Sequence, residues 1–271
     1  MKLKRLISNI ILGATIVTLS LGVSGCSKEN TSESTLNKET LIVGMDDAFA
    51  PMGFKDENGE ITGFDVELAK AICEKLNKKV VFQPIDWTMK ETELKSGNID
   101  LIWNGYTINE ERKKKVDFSV PYLKNKQVIV TLRNSDIKAK KDLEGKKVGA
   151  QNESSAISAM EKEEDLYNSF NGGSAITFED NNQALMDLEA GRIDAVVADE
   201  ILVRYYIRLK GEDKFNILDD NFGEEEYGVG IRKGDTEMVD AFNKAYKELQ
   251  DDGTLAQIST KWFDADITIK E

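Results

Sequence analysis

The sequence contains no histidine. That removes imidazole as a general base, as a metal ligand and as the relay of a nucleophile triad. A hydrolase of that kind is excluded, and no catalytic residue, metal or cofactor is expected. Cysteine is nearly absent, with only Cys26 and Cys73, so the fold must rest on a core and not on a disulfide framework. Positive charge is also short: 36 Lys and Arg stand against 49 Asp and Glu, a net charge of −13. Such a surface disfavours nucleic acid. It says little about a small ligand, because net charge describes solubility and not a pocket.

What is present begins with an export signal. Lys2, Lys4 and Arg5 precede an apolar run from Leu6 to Val23 and the small residues Ser24 and Gly25, the order of a secretory leader over residues 1–25. The run is also long enough to span a bilayer. Small residues before a cysteine have no role in a spanning helix, however, and Val23-Ser24-Gly25-Cys26 resembles the lipobox of bacterial lipoproteins. That resemblance implies a lipid-modified Cys26 as the mature N-terminus, anchored on the extracytoplasmic face of the cell membrane. Residues 26–39 are mostly Ser, Thr, Asn, Lys and Glu and read as a flexible tether. Cys73 lies on the apolar stripe Leu68, Ala69, Ile72, Cys73, Leu76 and reads as a buried small hydrophobe.

From Leu41 onward short apolar runs alternate with amphipathic stretches, which predicts an α/β fold with βαβ units and parallel sheets. Strands are expected at 41–45, 79–83, 99–103, 127–132, 147–150, 175–178 and 195–198. Helices are expected at 65–77 with Asp65 as cap, at 88–95, from 154, and at 181–190, 200–209, 235–250 and 254–262. The stretches 95–102 and 189–196 each end a helix with glycine, Gly97 or Gly191, and enter a strand at Ile-Asp. Two similar lobes are indicated. The tail has too few strands for a third, and is expected to return to the first.

The most informative segment is Ile99-Asp-Leu-Ile-Trp-Asn-Gly-Tyr-Thr-Ile-Asn-Glu-Glu-Arg112. A short buried strand runs into a polar turn, and in open α/β sheets ligands sit beyond the carboxyl ends of strands. Asn104, Gly105, Thr107 and Arg112 therefore stand where a small molecule is held. On composition alone, Arg112 belongs as readily to the solvated run Glu110 to Lys115.

Beside this segment stand Gly63-Phe-Asp-Val-Glu-Leu-Ala69, Gly145-Lys-Lys-Val-Gly149, Ala190-Gly-Arg-Ile-Asp194, Val196-Val-Ala-Asp-Glu200 and Gly228-Val-Gly-Ile-Arg-Lys-Gly234. Together they strongly resemble the amino-acid-binding lipoproteins of ABC importers, over about Leu41 to Phe263 and in order. The resemblance implies a type II periplasmic-binding-protein fold: two Rossmann-like α/β lobes joined by two crossover strands, with the ligand cleft between them. Lobe 1 would comprise 40–124 plus 225–271 and lobe 2 125–224, with crossings near 122–126 and 219–225. It also implies an L-amino acid ligand, polar or basic, a permease and ATPase as partners, and a monomer.

An amino acid is a zwitterion, and both charges need partners once water leaves. By resemblance Arg112, Thr107 and Ser155 take the carboxylate, the planar fork of Arg112 binding both oxygens. Asp199, Gly105 and Thr107 take the ammonium. Asp46, Phe49, Trp87, Trp103, Asn104, Gln151 and Glu153 fall at or beside the side-chain pocket. Read without the family, Asp199, Ser154 and Ser155 are equally good helix caps, and the aromatic residues are equally good core. The family often has glycine at 153 and a small polar residue at 104, so Glu153 and Asn104 are departures. An inward Glu153 beside Asp46 favours a basic ligand, and an outward one leaves glutamine or cystine as apt. Two other readings remain: an enzyme on the same fold, dehydratase-like or acting on cell-wall glycan, with carboxylates such as Glu153 and Asp46 as acid and base, and a sensor domain.

Overall fold

The computed structural model describes residues 33–270. The export signal, Cys26 and the first part of the tether lie outside them. Among the described residues no helix is long and apolar enough to cross a membrane.

The chain builds lobe 1 from β1 (Thr40–Met45), β2 (Ala48–Phe49), β3 (Gly53–Lys55), β4 (Ile61–Thr62), α1 (Phe64–Lys75), β5 (Lys79–Pro84), α2 (Lys90–Ser96), β6 (Leu101–Ile102), α3 (Glu110–Lys115) and β7 (Val116–Phe118). It crosses on β8 (Leu123–Leu132) into β9 (Val148–Gln151), α4 (Ser155–Glu161), α5 (Glu164–Asn168), β10 (Ile176–Phe178), α6 (Asn181–Glu189), β11 (Ala195–Asp199) and α7 (Glu200–Lys210). It returns on β12 (Phe215–Tyr227) to β13 (Gly230–Arg232), α8 (Thr236–Asp251) and α9 (Thr254–Phe263). The strand order is β5-β1-β6-β13-β7 in lobe 1, β10-β9-β11-β8-β12 in lobe 2, with β2-β3-β4 as a small third sheet.

The sheets are mixed, not wholly parallel as expected. β1 runs parallel to β5 and β6, and β9 to β10 and β11, whereas β13 is antiparallel to both β6 and β7 and β8 is antiparallel to both β11 and β12. The reversals come from the two crossings, which bring the chain back without a crossover helix. β8 and β12 pair from Leu123–Tyr227 at the lobe 1 end to Leu132–Phe215 at the far end of lobe 2. α8 and α9 pack on α1, so the tail returns to lobe 1.

Three local expectations are corrected. Asp65 does not cap α1. Gly63 holds that position with φ 136°, and a Cβ there would lie 2.2 Å from Met52 O, so glycine is required by backbone contact. The segment 88–95 is a 3₁₀ turn over Trp87–Met89, capped by Asp86, followed by α2. Residues 34–38, assigned to the tether, pack on lobe 1 instead: Thr35 is fully buried, its N–H and the Ser34 hydroxyl donate to the Asp235 carboxylate at 2.8 and 2.6 Å, and Lys38 pairs with buried Asp100 at 2.6 Å. Polarity of composition hid this, because one acidic helix cap satisfies several of the segment's donors at once.

Candidate functional site

The two lobes meet over a cleft lined by strand ends. Phe54 of β3 lies 5.9 Å from Tyr205 of α7. Tyr206 Oη donates to Ala48 O at 3.1 Å, and Gln151 Nε2 donates to Asp46 Oδ2 at 2.7 Å. Thr107 Oγ1, beyond β6, stands 3.0 Å from Ser155 Oγ at the start of α4. The lobes are closed upon each other.

Arg112 leaves the solvated run to which composition assigned it. Asn109 Oδ1 caps α3 by accepting the Arg112 N–H at 2.8 Å, and while its neighbours in α3 are exposed, Arg112 is buried. Its guanidinium packs on the Tyr106 ring at 4.4 Å. Nη1 donates to Thr107 O at 3.0 Å, and Nη2 reaches Glu153 O across the cleft at 3.4 Å. A fork held by backbone carbonyls and an aromatic face is pre-oriented for a planar anion.

The capping alternatives fail for the opposite lobe. Asp199 sits at the N-cap position of α7 but its side chain caps nothing. Its Oδ1 instead accepts from Asn125 Nδ2 at 2.6 Å, Tyr227 Oη at 2.7 Å and Gln127 Nε2 at 3.1 Å. Ser154 stands before α4 without a side-chain cap bond, and its buried hydroxyl has no partner. Ser155 faces the cleft, accepting from Gln127 Nε2 at 3.1 Å.

Glu225, expected only as part of the second crossing, lies in the middle of this set. Glu225 Oε1 accepts from Asn125 Nδ2 and Gln127 Nε2, each at 2.7 Å, and from Thr107 Oγ1 at 3.0 Å, with Ser155 Oγ at 3.4 Å. The same two amides therefore serve Asp199 and Glu225 together. Burial, and next the charge of Glu225, push the Asp199 carboxyl well above the usual carboxylate range. Strand alternation was the available signal: Glu225 and Tyr227 share one face of β12, and Tyr227 is fully buried.

Beneath the turn lies a second buried acid. Asp65 Oδ2 accepts from Gly105 N–H at 2.7 Å and Tyr122 Oη at 3.0 Å, fixing a glycine whose φ is 58°. Phe49 packs so close that a Cβ on Gly105 would lie 2.8 Å from its ring. Burial pushes Asp65 up to about 7, and burial likewise pushes Asp46 up to about 6. Carboxyls raised in the folded state stabilise it most below the usual carboxylate range, and that stability is lost as pH rises through their folded values. The empty protein is therefore expected to lose several kcal/mol between pH 4 and 7.5, at about 1.4 kcal/mol per pH unit for each proton difference. Asp65→Asn should flatten the slope between pH 6 and 7.5. Urea denaturation across that range measures it, and an unchanged slope in the variant would remove Asp65 as the cause.

The pocket residues divide. Phe49 and Trp87 are buried beside the cleft, Trp87 carrying a lysine ammonium 5.2 Å over its ring. Gln151 joins Asp46 to Asn181, whose Nδ2 donates to Gln151 Oε1 at 2.9 Å. Asn104 Nδ2 donates to Asp46 O at 2.8 Å, while its buried Oδ1 has no partner. Glu153 is exposed, with φ 54°, and contributes its carbonyl to the cleft. Trp103 is in the core of lobe 1, 5.1 Å from Phe242 and 6.4 Å from Tyr122, because the residue after a two-residue strand still packs under the sheet. A buried lysine, Lys90, joins the cleft unannounced by the sequence reading. It lies four residues before Leu94 on the buried face of α2. Among the described residues no cluster of carboxylates and cysteine able to hold a metal is found.

Comparison with known proteins agrees in kind. The model of the bacterial extracellular solute-binding proteins, family 3, matches residues 41–265. The chain is 36% identical to the L-cystine-binding protein TcyJ of Escherichia coli (strain K12), over 99% of this chain and 100% of that one. It is 34% identical to the arginine-binding extracellular protein ArtP of Bacillus subtilis (strain 168), over 94% and 96%. A crystal structure of an ABC uptake transporter substrate-binding protein from Streptococcus pneumoniae, with bound histidine, superposes with a TM-score of 0.85 at 40% identity, covering 90% of this chain and all of that one.

Proposed function

Because the chain belongs to family 3 of the bacterial extracellular solute-binding proteins, we propose that it captures a polar L-amino acid outside the cytoplasm and delivers it to the permease of an ABC importer. The observation that carries this reading is the division of charge between the lobes. Arg112 stands on lobe 1, Asp199 on lobe 2, and Thr107 and Ser155 meet 3.0 Å apart between them. A zwitterion that pairs with both sides stabilises the closed form by contacts the open form lacks. Arg112, Thr107 and Ser155 hold the carboxylate. Asp199 holds the ammonium, with Gly105 O and Thr107, and Glu225 is added to that side. Phe49 and Trp87 flank the side chain, with Asp46, Gln151 and Asn104 at its polar end.

Cys26 carries the lipid that tethers the protein to the membrane, and the segment before Ser34 is the tether. The protein acts as a monomer and needs no cofactor.

The test is the thermal midpoint of purified protein, unfolded and refolded to strip carried-over ligand, against the common L-amino acids and cystine. Binding near 1 μM at about 1 mM ligand adds roughly 4 kcal/mol, a shift of many degrees. A response from one or a few of these ligands supports the reading. Silence from all of them defeats it.

A further inference from the structure

Among the described residues Lys90 is the one lysine that is fully buried, 1% exposed, and nothing in the proposed binding set uses it. Its ammonium donates to Trp87 O at 3.0 Å and, across the cleft, to Glu153 O at 3.3 Å. The Arg112 guanidinium reaches the same Glu153 oxygen at 3.4 Å. Two cations thus converge on one carbonyl. The carboxylate beside Lys90 is Glu91, 3.5 Å away, and Glu91 already accepts from Tyr106 Oη at 3.0 Å. The Glu153 carboxylate also acts on Lys90, from an exposed residue where water screens it. Burial and next the charge of Arg112 push Lys90 down to about 8, outweighing the opposite pull of Glu91 and Glu153.

An α-carboxylate engages the fork of Arg112 and leaves Lys90 as it stands. At the end of the neighbouring strand the opposite charge is found. β1 and β5 pair in parallel up to Met45–Pro84, and the residues just beyond them are Asp46 on one side and the Trp87–Lys90 turn on the other. Asp46 accepts from Ala48 N–H and Gln151 Nε2, and the charged groups acting on it, Asp47 and Asp180, carry its own sign. Beyond the set that holds one amino-acid head group, the cleft has at adjacent strand ends a cation whose near carboxylate, Glu91, is shared with Tyr106, and an acid on which, among charged groups, only acids act. Arginine would answer Asp46 and aggravate Lys90; glutamate would do the reverse.

Resting on the receptor reading above, we propose that Lys90 is a specificity-determining residue that pairs with a second carboxylate on the ligand's side chain. Asp46 takes the ammonium beside it, so the preferred ligands are diamino dicarboxylic acids. Such a ligand brings a second zwitterion, neutral overall, that meets both of these charges. The exposed Glu153, by contributing a carbonyl and not a carboxylate, leaves Lys90 available for it.

The experiment is calorimetric titration of the wild type, Lys90→Met and Lys90→Arg with L-cystine, L-arginine and L-glutamine. Methionine keeps an unbranched apolar stem close to that of lysine and removes the charge. The wild type should bind cystine most tightly of the three. Lys90→Met should weaken cystine at least tenfold, leave glutamine within about threefold and strengthen arginine, while Lys90→Arg keeps the wild-type order. Equal losses for all three ligands in Lys90→Met would reduce Lys90 to a brace between the lobes and overturn the proposal. So would cystine affinity that does not change. If Lys90→Met does not fold, the order in Lys90→Arg decides: loss of cystine preference with the charge retained counts against it. A wild type that binds none of the three, nor any other amino acid, is a different failure, that of the receptor reading itself.

Discussion

Arg112→Ala is expected to weaken amino-acid binding by about 3 kcal/mol or more, roughly two orders of magnitude in Kd. The guanidinium is buried on Tyr106 and fastened to Thr107 O, so it arrives at the ligand already oriented and little rotamer entropy remains to be lost on binding. Truncation leaves the ligand's carboxylate without its bidentate partner in a site that water has left. Arg112→Lys should recover only part of the loss, since an ammonium supplies charge without the fork. Titration calorimetry on the responding amino acid measures both variants, with the melting curve of each empty protein as the control for folding. Wild-type affinity in Arg112→Ala would end the assignment of this residue as the carboxylate clamp.

Asp199→Asn is expected to cost binding about 3 kcal/mol or more as well, yet to leave the empty protein as stable as the wild type at pH 7 or more so. The two effects have one origin. Asp199 shares the amides of Asn125 and Gln127 with Glu225, and burial followed by that second carboxylate drives its carboxyl well above the usual range. A carboxyl raised in this way favours the folded state fully only at acid pH, and the benefit is lost as pH rises through its folded value. In the empty wild type the charged form of Asp199 is therefore disfavoured by burial and by Glu225, and a ligand ammonium beside it would offset both. Asparagine keeps an oxygen for Tyr227 and the two amides, removes the repulsion, and removes the partner of the ammonium. Thermal midpoints of empty and ligand-loaded Asp199→Asn at pH 5 and pH 7 separate these contributions. A variant that melts lower when empty and binds normally would show that Asp199 braces the hinge and does not meet the ligand.

The strands and helices were largely legible where one element packs on its neighbour in sequence. α6 was expected at 181–190 and runs Asn181–Glu189 with Asp180 as cap; α7 was expected at 200–209 and runs Glu200–Lys210. Local spacing and caps suffice there, because helix periodicity and capping act within a few residues. β13 had no such signal. It is three residues long and exists by inserting between β6 and β7, antiparallel to both, and pairing between residues more than 110 apart leaves no trace in composition. The small sheet β2-β3-β4 escaped for a like reason, since its strands are two or three residues long.

By itself the sequence determined the family and the succession of elements, and it singled out the residues proposed above to face a zwitterion: an arginine after the first lobe's turn and an aspartate at the end of the second lobe's strand. These follow from motifs in which chemistry and local backbone are inseparable. The tertiary structure alone decided which charges share the cleft. Glu225 entered from a hinge strand and Lys90 from the buried face of a short helix, while Trp103 left for the core and Glu153 kept only its carbonyl inside. The reason is that burial of a charged side chain depends on partners brought from the other lobe. Asn125, Gln127 and the Glu153 carbonyl make Glu225 and Lys90 tolerable where they stand, and the local spacing that puts Glu225 on the face of Tyr227 and Lys90 on that of Leu94 records nothing of these partners.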